Sequence, residues 1–139
     1  MDVDTFSTLN LAGAQRVVDG SLSFARSTQV PVCVAVTDRS GHLLAFARMD
    51  GAPLLGMSIA RDKAHTVTAF GGLATHELFD LIKDDPAVLQ GIVKTAGLIV
   101  FGGGVAVRCG GQLVGAVGVS GGTAEQDLLI ARAGAAVVR

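Results

Sequence analysis

The sequence predicts an α+β fold in which helices cover an antiparallel sheet. Pairs of strand patterns are joined by short turns, and helical patterns precede, separate and follow these pairs. Strands joined by short turns pair antiparallel, whereas parallel sheets need alternating strand–helix–strand units. A chain of 139 residues is long enough for one core. We therefore expect residues 1–139 to form one domain.

The first half of the chain has the pattern of a helix followed by a hairpin. Apolar residues recur at helical spacing from about Leu9 to Ser27. Val32–Thr37 and Leu43–Arg48 have strand patterns, and the turn-forming residues Asp38–Gly41 join them. The residues expected to face the core from the first helix are Leu11, Ala14, Val18, Leu22 and Ala25.

Two further helices are predicted before the middle of the chain ends. One extends from Pro53 to about Phe70, because proline is favoured at the first position of a helix. Another begins after Thr75 and ends near Lys83, before the breaker sequence Asp84-Asp85-Pro86. The expected core stripe of the longer helix is Met57, Ala60, Ala64 and Val67.

The second half predicts strands, turns and a closing helix. Leu98–Phe101 is expected to be extended, Gly102–Gly104 to bend, and Val105–Cys109 to extend again. Gly110-Gly111 is typical of a two-residue hairpin turn, and it leads into Gln112–Ser120. On the closing helix, Ala124, Leu128, Ala131 and Ala135 share one side.

The junction between the last strand and the closing helix is the richest motif. Ser120 and Gly121 precede Thr123, and Thr123 with Gln126 forms a capping box, so the helix should begin at about Ala124. Helix N-termini and neighbouring glycines attract carboxylates and other anions. The motif therefore predicts either an anion-binding site or a well-capped junction that holds no ligand.

Composition bounds the kinds of partner. Half of the residues are apolar, the mean hydropathy is +0.53, and only 17% are charged. This apolar excess favours a self-association interface, so we expect a homo-oligomer. A net charge of −1 provides no basic surface for nucleic acid and no polybasic membrane patch. We expect neither nucleic acid nor a membrane as partner.

The N-terminus and the two cysteines favour a reducing compartment, the cytoplasm. The first four residues, Met1–Asp4, are acidic where a secretory signal would be basic, so we expect a cytoplasmic protein. Cys33 and Cys109 lie in separate apolar strand patterns without metal-ligand spacing. Both are predicted to be buried, reduced thiols.

Three charged residues are candidates for ligand binding. Arg48 ends a strand, Asp50 lies in the following turn, and Lys63 flanks the core stripe of the next helix. One interpretation is an ion pair of Asp50 with Lys63 or Arg48 that fixes the turn. The other is a pocket in which Arg48 and Lys63 hold a ligand carboxylate while Asp50 orients them.

The histidines and the triple glycine leave alternatives open. His42, His65 and His76 have no metal-binding spacing, so no zinc or iron site made of protein ligands alone is expected. A single axial histidine for haem is compatible with the sequence, and His65 is the best candidate, although surface histidines are commoner. Gly103 and Gly104 either form a tight bend or contact a ligand.

Five segments, taken together, resemble the GlcG/HbpS-like family, which includes the C-terminal domain of PduO-type proteins. They are Val34–Leu44, Arg48–Ala52, Ala60–Phe70, Gly102–Gly104 and Gly115–Asp127. The resemblance implies a roughly five-stranded, profilin-like layer that assembles into higher oligomers. It also implies binding of haem or a corrinoid-like tetrapyrrole in some relatives.

We therefore expect a small-ligand-binding protein, with haem as a candidate cofactor. The alternative, also implied by the resemblance, is an enzyme or accessory protein acting on small organic acids, diols or aldehydes. No catalytic residue is identified, since Ser120 lies outside a GxSxG motif. The residues expected to meet around one cavity and bind a ligand with a carboxylate are Arg48, Asp50, Lys63, His65, Gly103, Gly104, Ser120 and Gly121.

Overall fold

Four antiparallel strands form one sheet with helices on both faces in the computed structural model, which describes residues 2–139. In chain order the elements are α1 (Leu11–Thr28), β1 (Cys33–Asp38), β2 (Leu43–Arg48), α2 (Gly56–Ala69), α3 (Thr75–Ile82), α4 (Pro86–Ile92), β3 (Gly104–Cys109), β4 (Gln112–Ser120) and α5 (Ala124–Ala135). The strand order is β2-β1-β4-β3. The predicted α+β class with an antiparallel sheet is confirmed.

Helix α1 begins and ends with local hydrogen bonds that its sequence supplies. The Asn10 side chain accepts from the backbone N–H of Gly13 at 2.9 Å, and Gln29 ends the helix in the left-handed conformation. Of the predicted stripe, Ala14, Val18 and Ala25 are buried, whereas Leu11 is 52% exposed. The predicted stripe is thus wrong at Leu11, which lies in the first turn, and it omits Val17, which is fully buried.

The two faces of the sheet carry side chains of different size. Helices α1 and α5 pack against one face, where Val34, Val36, Val117 and Val119 are buried in the main apolar core. Helix α2 packs against the other face, on β1, β3 and β4. That second face is built from small residues, of which Ala35 and Gly118 are cross-strand partners. Small side chains let α2 approach the sheet closely.

Two glycines set how closely α2 packs. A Cβ on Gly118 would clash with the Ala60 carbonyl oxygen and would lie 2.7 Å from the Ala64 nitrogen. A Cβ on Gly104, the cross-strand partner of Gly118, would lie 2.8 Å from the Lys63 carbonyl oxygen. The helix backbone therefore rests directly on the sheet backbone at these two positions.

The expectation of roughly five strands is wrong by one. Leu98–Phe101 was predicted to be extended, yet it forms no strand. Its backbone bonds to α2 instead, because the Ile99 N–H donates to the Thr66 hydroxyl, which itself donates to Gly97 O. These bonds hold the segment against the helix and away from the edge of the sheet.

The helix predictions also need corrections. Asp84-Asp85-Pro86 ends α3, as predicted, but it also begins α4, since Asp85 accepts from the Val88 N–H and Pro86 opens the helix. Helix α2 begins at Gly56, after a turn closed by the Gly56 N–H and the Pro53 carbonyl. Met57 consequently lies in the first turn, 37% exposed, and is not a core residue. No helix within residues 2–139 combines the length and the apolar run needed to cross a membrane.

Substitution of Gly118 by alanine should destabilise the protein because the added methyl group has no space against the α2 backbone. We expect a loss of about 1–3 kcal/mol in the free energy of unfolding, measured by urea denaturation. Gly91→Ala is the matched control, since a Cβ there meets nothing within 4 Å and alanine favours the helix. An unchanged midpoint for Gly118→Ala would contradict the close packing.

Candidate functional site

Lys63 lies in the interior and not in an open pocket. Its side chain has no exposed surface, and its ammonium Nζ donates to the Val119 carbonyl oxygen at 2.7 Å and to Asp127 Oδ2 at 3.1 Å. The Phe101 ring lies beside it, with its centroid 5.0 Å from Nζ. These contacts join α2, the end of β4, α5 and the loop before β3. The ammonium is held by the protein itself.

Burial determines the protonation behaviour of Lys63. Removal from water lowers its pKa, and the charge and hydrogen bond of Asp127 partly oppose this effect. A buried ammonium needs a counter-charge and hydrogen-bond acceptors, and Asp127 with Val119 provides both. The predicted ion pair between Lys63 and Asp50 is therefore replaced by a pair with Asp127.

The N-terminus of α5 binds an internal carboxylate. Asp127 Oδ1 accepts from the Gly122 N–H at 2.9 Å, while its Oδ2 binds Lys63. The predicted capping box is present, because Thr123 and Gln126 each accept from the other's backbone N–H. The anion that this motif attracts is thus Asp127 itself, which corresponds to the well-capped alternative.

The triple glycine forms a crowded bend. Gly103 has φ +127°, and a Cβ there would lie 2.6 Å from both Lys63 Nζ and the Val119 oxygen. Gly104 begins β3, and its N–H donates to the buried Thr75 hydroxyl at 3.0 Å. Gly103 therefore borders the Lys63–Asp127 pair, whereas Gly104 contacts the Lys63 backbone.

Arg48 and Ser120 lie on either side of Cys33 in the sheet. Cys33 of β1 is the cross-strand partner of Arg48 in β2 and of Ser120 in β4. Ser120 is buried, and Arg48 is exposed next to Asp50 in a depression of about 300 Å³. Residues 2–139 contain three ion pairs, Asp38–His42, Lys63–Asp127 and Asp80–Lys83, so neither Arg48 nor Asp50 takes part in one.

The structure thus brings together only part of the predicted site. Lys63, Gly103 and Gly104 meet in the interior, with Ser120 and Gly121 at the neighbouring strand end. Arg48 and Asp50 belong to the separate depression beside Leu22 and Arg26. A ligand that touches all of these groups at once would have to pass through the packed core.

His65 lies in a third location, the hairpin groove. We use this name for the cavity of about 340 Å³ between α2 and the β1–β2 hairpin, lined by Thr37, Gly41, Leu43, Ser58, Arg61, Asp62 and His65. His65 is exposed, and the groove walls are mostly polar. Gly41 allows the hairpin loop to approach the helix, since a Cβ there would lie 2.9 Å from the Thr68 hydroxyl.

His76 lies between two further cavities. The apolar cleft, about 320 Å³, is lined by His76, Phe79, Asp80, Val100, Phe101 and Gly102. The arginine cavity, about 490 Å³, includes His76, Glu77, Arg108 and Arg132 in its lining. The His76 Nδ1 atom is buried and has no hydrogen-bond partner among residues 2–139. His76 is thus the side chain shared by an apolar and a cationic cavity.

The two cysteines differ in exposure. Cys33 is fully buried, and burial raises the pKa of its thiol, while the nearby Arg48 charge partly lowers it. Cys109 is exposed next to the Gly110-Gly111 turn, so the prediction of a buried thiol is wrong there. Both are free thiols, as predicted.

Sequence reasoning missed Asp127, Phe101 and His76 as parts of these sites. Asp127 had a detectable signal, because an acid in the first turn of a helix that starts at a glycine junction is a natural partner for a buried cation. The sequence predicts no role for His76, because the cavities around it depend on how α3 packs beside β3. Phe101 was expected inside a strand.

The fold and its interior define an α+β protein with a four-stranded antiparallel sheet and five helices in residues 2–139. The model of the family described as "Haem degrading protein HbpS-like" matches residues 9–136. The chain belongs to this HbpS-like family, and the resemblance predicted from the sequence is confirmed.

Relatives of known sequence support this assignment. A 15.0 kDa protein from the dhaT-dhaS intergenic region of Citrobacter freundii is 38% identical over 127 residues, which cover 90% of this chain and 88% of that protein. Corrinoid adenosyltransferase PduO of Salmonella typhimurium is 39% identical over 120 residues, or 82% of this chain. The match spans only 34% of PduO, about a third of its length.

Solved structures show the same fold. The crystal structure of Klebsiella pneumoniae protein ORFY has a TM-score of 0.89 and 34% identity, covering 98% of this chain and 94% of that one. The crystal structure of a PduOC:heme complex has a TM-score of 0.85 and 33% identity, covering 95% of this chain and 96% of that one.

Loss of the Lys63 ammonium should leave the Asp127 carboxylate buried without its partner. We expect Lys63→Met to lose about 3–5 kcal/mol of unfolding free energy in urea denaturation. The double variant Lys63→Met/Asp127→Asn should recover part of this loss, because the asparagine oxygen still accepts from the Gly122 N–H without a buried charge. Equal stability of wild type and Lys63→Met would contradict a buried ion pair.

Thiol labelling should separate the two cysteines. With a thiol-reactive disulfide reagent at pH 8, we expect one thiol per chain, the exposed Cys109, to react rapidly. The second thiol, Cys33, should react only when denaturant is added. Cys109→Ser is the control, and it should abolish the rapid phase alone. A rapid phase that survives in Cys109→Ser would show that Cys33 is accessible.

Proposed function

We propose that the protein binds haem or a related tetrapyrrole in the apolar cleft beside His76. The observation that carries this proposal is the similarity over nearly the whole chain to a domain crystallised as a haem complex. The family description, which refers to haem degradation, points in the same direction. The side chains that line the cleft and the cavity next to it supply further support.

The apolar cleft has the chemistry that a porphyrin needs. Phe79 and Phe101 are 41% and 47% exposed, so they offer aromatic surface for the face of a macrocycle. A neutral imidazole is a common axial ligand of haem iron, and the half-buried His76 ring lines both the apolar cleft and the arginine cavity. These features support His76 as the residue that holds the iron.

The arginine cavity fits the polar end of the same ligand. Arg108 and Arg132 line it, and neither forms an ion pair within residues 2–139. Arg108 lies over the loop before α3, since a Cβ on Gly72 would lie 2.6 Å from its guanidinium. Guanidinium groups bind carboxylates through paired hydrogen bonds. The two cavities that meet at His76 therefore suit an amphipathic ligand with acidic substituents.

His65, which the sequence favoured as the axial ligand, has a less suitable setting. The hairpin groove around it is lined by hydroxyl and charged groups. A macrocycle bound there would remove water from these groups without offering them hydrogen-bond partners. When bound, haem would supply an iron centre for ligand binding or redox chemistry. The residues named here would bind and orient it.

Self-association, predicted from composition, stays part of the proposal. Leu54 and Leu55 before α2 are 63% and 71% exposed, and Leu81 on α3 is 72% exposed. Exposed apolar groups of this size favour contact with another protein surface. A second copy of the chain is the partner that we propose, and light scattering on the purified protein measures the subunit number.

A haemin titration followed by visible absorbance tests the proposal. We expect a saturable shift of the Soret band at one haem per chain, and affinity roughly tenfold or more weaker in His76→Ala. His65→Ala is the matched control, because it also removes one imidazole from a surface groove. It should leave the affinity unchanged.

Other results of this titration would revise the assignment. Loss of binding in His65→Ala alone would locate haem in the hairpin groove, with His65 as the axial ligand that the sequence favours. No saturable shift in the wild type would overturn haem binding and favour the alternative of a protein acting on small organic acids, diols or aldehydes.

A further inference from the structure

The hairpin groove contains a buried hydroxyl group that nothing in the described chain binds. Thr37 is 2% exposed, and its Oγ1 atom has no hydrogen-bond partner among residues 2–139. An unpaired buried hydroxyl costs about 1–3 kcal/mol of stability, so such groups are uncommon unless they bind something. Thr37 lines the hairpin groove, so its side chain borders the space that a ligand would occupy.

The strand geometry at Thr37 departs from regular pairing. The register between β1 and β2 shifts between Val36 and Thr37, so that Val36 pairs with Ala45 and Thr37 with Leu43. Irregularities of this kind redirect side chains and are common beside functional sites. The same position thus combines an unpaired hydroxyl with a break in the strand ladder.

The opposite wall of the groove is one polar face of α2. Ser58, Arg61, Asp62 and His65 are placed at helical spacing, so they share a side of the helix. The residues that contact the sheet, including Lys63, lie on the other side and are buried. The polar stripe is therefore turned toward the hairpin by the same packing that fixes the helix.

We propose that the hairpin groove is a second ligand site, for a small uncharged polyhydroxylated molecule. Arg61 and Asp62 contribute opposite charges, so an anion would face Asp62 and a cation would face Arg61. The Thr37 hydroxyl and the His65 imidazole can each donate and accept hydrogen bonds. The Ser58 hydroxyl donates to the Leu55 carbonyl oxygen and can still accept a bond from a ligand. A polyol matches this mixture, and about 340 Å³ accommodates three to six carbons with their hydroxyls.

This site is independent of haem binding. The apolar cleft and the arginine cavity share His76, whereas the hairpin groove is lined by none of the residues that line either of them. A polyol in the groove should therefore leave the haemin titration unchanged. Competition between the two ligands would show that they share one site and would overturn the proposal.

Binding can be measured by ligand-observed saturation-transfer NMR with glycerol, erythritol and D-ribose as probes. Lactate and methylammonium serve as charged probes of similar size. We expect saturable binding of at least one polyol and weaker binding of both charged probes. Failure of all three polyols, or preference for a charged probe, would overturn the proposal.

Thr37→Val separates a binding role from a structural one. The variant keeps the shape of the side chain and removes the hydroxyl, so polyol affinity should fall roughly tenfold or more. The melting temperature should stay equal or rise, because an unpaired buried group has been removed. Unchanged polyol affinity in this variant would overturn the proposal. A lower melting temperature would do so too, since it would show that the hydroxyl stabilises the fold.

Two more variants complete the test. Arg61→Gln changes an exposed side chain of the groove, so it should fold normally and weaken polyol binding through loss of hydrogen-bond donors. Thr95→Val, at an exposed threonine that does not line the groove, is the matched control and should leave binding unchanged. Equal effects of Thr95→Val and Thr37→Val would overturn the assignment of the site.

Discussion

The buried pair of Lys63 and Asp127 is the interaction on which the arrangement of the other elements depends. The Lys63 ammonium binds the end of β4 and a carboxylate of α5, and that carboxylate also binds the backbone of Gly122 before the helix. Breaking such a pair leaves a charge in the interior, which is far more costly than losing a surface ion pair. Helices α2 and α5, which lie on opposite faces of the sheet, are thereby fixed relative to the same end of β4.

The fold could be predicted from the sequence where local patterns decide it. Turn residues such as Gly110-Gly111, and the capping box at Thr123, fix elements through neighbouring groups, so these were identified correctly. Leu98–Phe101 has a strand pattern but is held by the Thr66 hydroxyl, 33 positions before Ile99 in the chain. The fifth strand was predicted wrongly because such a distant contact leaves no trace in local periodicity.

The candidate site was harder to predict than the fold, for a physical reason. The sequence marks Lys63 as a candidate, but whether a lysine faces a ligand or an internal carboxylate depends on a partner 64 positions away. Arg48 and Lys63 are close in the chain yet belong to different surroundings. The cavities around His76 and Thr37 arise only where separate elements meet.

The small residues beneath α2 have a consequence for how the protein can change over generations. Because glycine and alanine in the sheet let the α2 backbone lie directly against the strand backbone, there is little room for larger side chains at these positions. The outward stripe from Ser58 to His65 takes no part in that packing. Substitutions on it would leave the scaffold intact, so in the proposed hairpin-groove site the chemical specificity is free to drift while the architecture stays the same.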